Sequence, residues 1–392
     1  MGGKTTERFD LIVVGLGAMG AATLFHARRQ GLRVLGIDRY RPPHEFGSSH
    51  AETRITRLAV GEGPEYLPFV ARSHEIWRAL EAETGQDLLH QSGCCIITTQ
   101  DVPDEDRWSD FVTATATVAE AGSVDFQLLD PPELRRQQPT ILIADNDRAG
   151  LEPTGGIVLS ERAVQIQLQL AKADGAELRI NEKVVSADVD GGNTGVTVST
   201  NRSSYTADKV VMATGAWLPE MVEPADKAQM TVTRQVVFWF EVEDLSAYSV
   251  DRFPAVIWVG ETIDDYLGAF PIPTSGTRGL KVLGEQFATT TDAESVNRHV
   301  SQDEIDAFHR TLVAPRLTGV TSNCLKAAVC LYTNTKDDHF LIDSDPRSSR
   351  IITMSPCSGH GFKHSTALGE AVAEWAATGR STLDLTPFRR RW

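Results

Sequence analysis

The first forty positions carry the clearest pattern of the chain. An apolar run, Leu11-Ile12-Val13-Val14, is followed by Gly15-Leu16-Gly17-Ala18-Met19-Gly20, by the helix-forming stretch AATLFHARRQ, and by Val34-Leu35-Gly36-Ile37-Asp38. Short continuous apolar runs bounded by glycine predict strands buried on both faces, so the segment reads as strand, tight turn, helix and parallel strand. From Ser73 to Thr84 the apolar positions return at helical spacing, whereas residues 86 to 150 become irregular, with several Asp, Pro and Gln. A second amphipathic helix is predicted over Ser160 to Lys172. Short strands follow at 176–180, at Lys183-Val184-Val185 and at 196–198, then a buried strand, Lys209-Val210-Val211-Met212, that runs into a small-residue turn. Residues 221 to 329 alternate Val, Phe, Trp and Tyr with polar positions, which predicts a largely antiparallel sheet. Strand, Gly-rich turn and helix return between Phe340 and Trp375. The pattern divides the chain into a discontinuous unit over 1-85, 150-220 and 330-392, interrupted by a second unit over 86-149 and 221-329. No internal repeat is visible.

Length agrees with that division, because 392 residues exceed what one hydrophobic core supports. A formal charge of -15 repels polyanions and argues against a nucleic-acid partner, so an anionic ligand would need local Arg or Lys. No stretch approaches the roughly 20 apolar residues of a membrane span, and the start resembles no signal peptide, so a cytoplasmic location is expected. Cys94, Cys95, Cys324, Cys330 and Cys357 form an odd set without metal spacing. Most are expected to be reduced thiols, and no metal site is expected. The basic end, Arg389-Arg390-Arg391-Trp392, reads as a solvated tail.

The glycines of the first turn have separate tasks. Gly15 permits the turn, Gly17 lets backbone amides approach a pyrophosphate, and Gly20 lets the helix pack on the strand. The helix N-terminus at Ala18 and Met19 presents N–H groups to phosphates. Asp38, at the end of the second strand, is placed to accept hydrogen bonds from a ribose, with Arg39 beside it. This fingerprint serves NAD and FAD alike. The late strand ending in Ala213-Thr214-Gly215 and Trp217 favours FAD, since it can close over a larger cofactor, and Val184 and Val185 are further candidate contacts. The expected fold is therefore α/β: a Rossmann-like FAD-binding domain of the glutathione-reductase type, with a second domain built of a mostly antiparallel sheet plus helices.

Three later segments narrow the picture: Gly47-Ser48-Ser49-His50 running into Thr53-Arg54 and Arg57; Cys330-Leu331-Tyr332-Thr333; and Ser358-Gly359-His360-Gly361-Phe362-Lys363. In this order, behind a dinucleotide fingerprint, they resemble the monomeric sarcosine oxidase family of flavoproteins, which includes N-methylamino-acid, pipecolate and fructosyl amino acid oxidases. The resemblance spans nearly the whole chain. It implies that Cys330 joins the flavin covalently as a thioether, against the alternative of a buried structural thiol. It places Ser48, Ser49, His50, Thr53, Tyr332 and the turn from Ser358 to Lys363 around the flavin, with His50 and His360 as contacts rather than general bases. Arg54 would lie beside or beneath the ring. Arg57 and Lys363 would bind the substrate carboxylate, against the alternative that Arg54 and Arg57 are surface ion-pair partners. Lys281 matches the family lysine that promotes reaction with O2, against the alternative of an exposed strand lysine.

One departure bears on substrate. Relatives that oxidise sarcosine carry His four residues after that lysine, and this chain has Glu285. On a strand, residues 281 and 285 share a face, so a carboxylate would look into the pocket, as in fructosyl amino acid oxidases. Tyr266 and Trp258 are candidates for pocket walls, with core packing the equal alternative. The resemblance implies an FAD-dependent oxidase of a secondary amine bearing a carboxylate. Hydride would pass to the flavin, the imine would hydrolyse, and O2 would be reduced to hydrogen peroxide. The alternatives are a deglycating fructosyl amino acid oxidase, a flavin dehydrogenase and a flavoprotein without turnover. The expected partners are the small-molecule amine and O2, with no nucleic acid and no membrane; a monomer is expected, a dimer being the alternative.

Overall fold

The computed structural model describes residues 8–99, 110–262 and 265–392. Its first sheet has eight strands. Arg8–Val14 lies at its centre, parallel to Val34–Asp38 on one side and to Ser204–Met212 on the other. Glu177–Ile180 extends the sheet beyond Val34–Asp38, and Ser348–Ser355 runs parallel to the end of Ser204–Met212. This placement explains the first apolar run: Leu11, Ile12, Val13 and Val14 are covered on both faces, with exposures of 3% or less. Helices Ala18–Arg29, Ser160–Ala173 and Ser365–Thr378 pack together over the sheet. Where Ala18–Arg29 meets Ser365–Thr378, Gly369 sits against Ala22, with no room for a Cβ.

The second sheet has nine strands and is antiparallel except where Cys94–Thr98 pairs in parallel with Ala255–Val259. Its backbone is the long pair Met230–Val242 and Val320–Thr335. Two expectations change here. Cys330 lies in this second sheet, opposite Gln235, although the sequence division puts residue 330 with the cofactor unit. The strand that carries Lys281 ends at Leu283, so Lys281 and Glu285 do not share a strand face. Leu283 makes the last ladder pairings, and beyond Gly284 the Gln235 amide takes over from the backbone: the Gln286 N–H donates to Gln235 Oε1 (2.9 Å), and Gln235 Nε2 donates to the Gln286 carbonyl (3.1 Å).

The end of the chain is a clamp rather than a solvated tail. Arg390 makes two bonds of 2.7 Å to the fully buried carboxylate of Asp226, which also accepts from Trp392 Nε1 at 2.9 Å. Arg391 pairs with Asp337. An Arg–carboxylate fork of this kind fixes two segments in register.

One buried residue works against the fold. His364 is fully buried against Tyr66 and Phe340, with ring centroids 5.4 and 5.6 Å away, and neither ring nitrogen has a hydrogen-bond partner among the described residues. Burial, then the neighbouring Lys363 charge, holds its pKa well below the usual value, so the ring is neutral. A neutral imidazole still carries one donor and one acceptor, and an unmet buried polar group costs about 1–3 kcal/mol. His364→Phe is therefore expected to stabilise the protein by about 1–2 kcal/mol, read as a higher denaturant midpoint with an unchanged slope. A lower midpoint would show that the imidazole is satisfied.

Candidate active site

The site begins at the glycine turn. Gly15 adopts φ +86°, and a Cβ there would come 2.5 Å from the Ala213 carbonyl oxygen, so the turn can cross the end of the Ser204–Met212 strand only as glycine. Helix Ala18–Arg29 starts at Gly17 without a side-chain cap; the Ala18 N–H donates to Ser49 Oγ at 3.0 Å. Asp38 is buried and accepts from the N–H groups of Leu16 (2.7 Å) and Tyr40 (2.8 Å). Its carboxylate thus braces the turn, and each oxygen keeps a further lone pair. Arg39 pairs with Glu294, which reaches over from the second sheet's side of the molecule.

The turn opens into one continuous cavity of about 690 Å³. Gly15, Gly17, Ala18, Met19, Asp38 and Arg39 line it at the cradle, and Val184, Val185, Ala213, Thr214, Gly215 and Trp217 continue the wall. Cys330, Tyr332 and the whole turn from Ser358 to Lys363 also face it, with Ser48, Ser49, Arg54, Arg57 and Glu285. Four of the cofactor and catalytic candidates read from the sequence do not line it: Gly20, His50, Thr53 and Lys281. Gly20 has the packing task expected of it, because a Cβ there would overlap the Gly15 carbonyl oxygen. The other three stand one side chain behind the wall.

The segment from Ser48 to Arg54 straddles Cys330. Ser48 Oγ donates to the Leu331 carbonyl at 2.5 Å, and His50 Nε2 lies 3.2 Å from the Val329 carbonyl and 3.4 Å from Cys330 Sγ. A carbonyl only accepts, so that nitrogen carries the proton. Burial, then the Arg54 charge, pulls His50 down to about 4. The ring is neutral and bridges the Val329 carbonyl and the Cys330 thiol. Arg54 is held by donating to the carbonyls of Thr53 (2.7 Å) and Ser48 (2.6 Å). Lys281 is buried: Nζ donates to the carbonyls of Ala51 (2.8 Å) and Thr53 (2.6 Å) and lies 4.1 Å from the ring centre of Phe270, which does line the cavity. Burial, then Arg54, lowers its pKa well below that of an ordinary lysine. The exposed-lysine alternative does not hold. The carbonyls it binds belong to a turn in which Ala51 and Glu52 both have positive φ, 76° and 69°, so the Lys281 amine holds a left-handed turn that L-residues resist.

Beyond these segments the cavity is charged. Arg57 Nη2 lies 2.6 Å from Glu62 Oε2, and Lys363 Nζ lies 3.4 Å from Glu62 Oε1 and 2.9 Å from the His360 carbonyl, to which it donates. The side chains of Arg57, Glu62 and Lys363 are all 4% exposed or less, so the surface-pair alternative for Arg57 does not hold. Burial raises the Glu62 carboxyl, but Arg57 and Lys363 outweigh it and hold it well below the usual range. Burial pulls Lys363 down to about 8 against the opposing pull of Glu62. Behind this cluster, Glu152 accepts from the N–H groups of Leu58 (2.7 Å) and Ala59 (2.8 Å) and fixes the chain just past Arg57. Tyr266 and Phe111 line the cavity, whereas Trp258 is core, its Nε1 donating to Thr99 at 3.3 Å. Burial, then Glu285, pushes the Tyr266 and Tyr332 hydroxyls well above their usual values. Gly359, at φ +80°, lets its turn approach: a Cβ there would come within 3.2 Å of Glu285 Oε1.

Glu62, Phe111, Gln235, Glu294 and Cys357 line the cavity and were not singled out in the sequence as site residues. Glu62 had a readable signal, an acid between two glycines five residues after Arg57. Cys357, given no site role in the sequence, accepts from the Thr333 N–H at 3.3 Å in the cavity wall.

The cavity fits FAD. Thr214 Oγ1 and Ser355 Oγ are buried in its wall with no hydrogen-bond partner among the described residues, a cost that a polar ligand removes. Comparison with known proteins agrees. The family described as FAD dependent oxidoreductase matches residues 10–375. The chain is 34% identical over 385 residues to a monomeric sarcosine oxidase of Bacillus sp. (strain NS-129), covering 98% of this chain and 96% of that one. It is 32% identical over 383 residues to an N-methyl-L-tryptophan oxidase of Salmonella dublin, covering 97% and 98%. Among solved structures, NikD, an unusual amino acid oxidase essential for nikkomycin biosynthesis, superposes in its open form with a TM-score of 0.82 at 21% identity, covering 98% of both chains.

Proposed function

Since the chain belongs to the FAD dependent oxidoreductase family, we propose that it is an oxidase of N-substituted or cyclic amino acids, acting on a secondary amine that bears a carboxylate. The observation that carries this reading is the buried Arg57–Lys363 pair in the same cavity as the nucleotide cradle. When bound, FAD supplies the acceptor for the hydride lost from the carbon next to nitrogen and is reoxidised by O2, which leaves as hydrogen peroxide. The cradle from Gly15 to Met19, Asp38 and the Thr214 turn would hold it, and Cys330 would attach it covalently.

The chain's own groups do the rest. Arg57 and Lys363 bind the carboxylate in a pocket that excludes water, which orients the amine for reaction. Arg54 and the helix N-terminus after Lys363 put positive potential where negative charge develops. Lys281, in its protonated form, adds to that potential from behind Phe270, the position from which it would favour reaction with O2. The imine product is hydrolysed by water, or, from a cyclic substrate, leaves as a cyclic imine.

Glu285 favours a second reading, a fructosyl amino acid oxidase, because a carboxylate in the wall can accept hydrogen bonds from a polyol. An anaerobic bleaching screen of the yellow enzyme with sarcosine, N-methyltryptophan, pipecolate and fructosyl-glycine separates the two. Bleaching by N-alkyl or cyclic amino acids is expected, followed by peroxide release in air. Bleaching by the fructosyl compound alone selects the second reading, and bleaching by none of them removes both.

A further inference from the structure

Two cations and one anion meet in the cavity wall, and their sum is not zero. Glu62 spends one carboxylate oxygen on each cation, Oε2 on Arg57 Nη2 and Oε1 on Lys363 Nζ. All three side chains are within 4% of full burial, so the surplus positive charge is not diluted by solvent. Arg57 retains a donor for a further acceptor: its Nε is buried with no partner among the described residues. A guanidinium has five N–H groups in a fixed fork and can hold two carboxylates at once. Elsewhere the wall carries Arg54 and Glu285, whose charges offset one another, with Tyr266 and the Phe111 ring, which lies 5.4 Å from the guanidinium.

We propose that Glu62 is a specificity determinant: it leaves the carboxylate site one positive charge in surplus, which tunes it to substrates with a single carboxylate and against those with two. The proposal rests on the reading of Arg57 and Lys363 as the carboxylate site. One carboxylate brings the cluster to neutrality while Glu62 stays in place. A second would bring net negative charge to the cluster in a desolvated pocket, where neither Arg57 nor Lys363 is left to offset it. With Glu62 made neutral the surplus is two, and a dicarboxylate becomes the matched ligand. Discrimination of this sort comes from charge placed against the wrong ligand, not from contacts to the right one.

The test uses flavin-loaded enzyme and two ligands without an oxidisable amine, (methylthio)acetate and thiodiacetate, titrated by calorimetry at mildly acidic pH, where Lys363 is protonated. Glu62→Gln is expected to move the ratio of the two affinities toward the dianion by about ten-fold or more. An unmoved ratio overturns the proposal, as does equal tightening of both ligands, which would mean that Glu62 merely competes with them. Should Glu62→Gln not fold, the wild-type enzyme decides through a crystal structure with (methylthio)acetate. The Arg57–Glu62 pair is expected to persist beside the bound carboxylate, and its displacement overturns the proposal. Arg57→Met separates the two levels. If it leaves (methylthio)acetate binding intact, the carboxylate-site reading itself fails; if it abolishes binding while Glu62→Gln leaves the ratio unmoved, only the present inference fails.

Discussion

Arg57→Met is expected to lower kcat/KM for a carboxylate-bearing amine by about 10²–10³-fold, because truncating one partner of a buried, hydrogen-bonded charge pair costs about 2–5 kcal/mol. Two losses combine in that figure. The substrate carboxylate keeps only the Lys363 point charge, and Glu62, 2.6 Å from the guanidinium in the wild type, loses its closer partner. They can be separated, because only the second is a property of the empty protein. Thermal melts of the empty protein should show Arg57→Met destabilised by loss of the Arg57–Glu62 pair, and Glu62→Gln added to it should bring no recovery, since Lys363 then stands buried without its carboxylate. Steady-state kinetics of the double variant should show no recovery either, because neither substitution restores a donor to the substrate. An amine of the same shape without a carboxylate is expected to react equally with wild type and Arg57→Met. A kcat/KM unchanged by Arg57→Met would remove Arg57 from the substrate site.

How far the sequence reveals this site depends on whether a residue acts through the backbone or through a partner distant in the chain. The cradle was legible because each glycine answers a backbone requirement: Gly15 its positive φ, Gly20 its contact with the Gly15 carbonyl. The turn from Ser358 to Lys363 and the segment around Cys330 were legible by residue type and order, and both face the cavity. Strand faces were not. The expectation that Lys281 and Glu285 point the same way assumed an unbroken strand, and the ladder stops at Leu283 because Gln235 pairs with the Gln286 backbone, a contact across 51 positions that no local pattern contains. Lys281 turns instead to the carbonyls of Ala51 and Thr53, on a turn of positive φ whose formation no glycine announces. The basic end misled for a related reason. A run of Arg reads as solvated when its partners are invisible, and here Asp226 lies 164 positions from Arg390. Charge composition had the same limit. A net charge of -15 predicts that an anion site must be local, but not that the site carries its own carboxylate at Glu62.

Gly20→Ala is expected to yield protein that no longer retains flavin and is destabilised by about 3 kcal/mol or more, beyond the ordinary cost of one added methyl group in a packed interior. Alanine is the better helix former by about 1 kcal/mol, so propensity alone predicts the opposite sign. Packing decides. The added Cβ would overlap the Gly15 carbonyl oxygen and come 3.3 Å from a Val13 methyl, and the first of these is backbone, which cannot rotate away. Relief requires helix Ala18–Arg29 to lift off the Arg8–Val14 strand. Its other side is already closed by helix Ser365–Thr378, where Gly369 meets Ala22 without room for a Cβ. The helix is therefore gripped from both sides, and any shift moves the N-terminal amides of Ala18 and Met19 away from the place where they face the cavity. Ser49 would lose its bond from the Ala18 N–H as well, which couples the cradle to the segment leading to Arg54 and Arg57. The measurements are the ratio of flavin to polypeptide after purification and the unfolding midpoint of the apoprotein. Gly31→Ala, at a surface position with open space around its Cβ, controls for the loss of a glycine as such, though its φ of +88° carries its own modest strain. Full flavin content and a wild-type midpoint in Gly20→Ala would mean that the turn and helix are not locked together as the geometry requires, and the link from fingerprint to cofactor would have to be sought elsewhere.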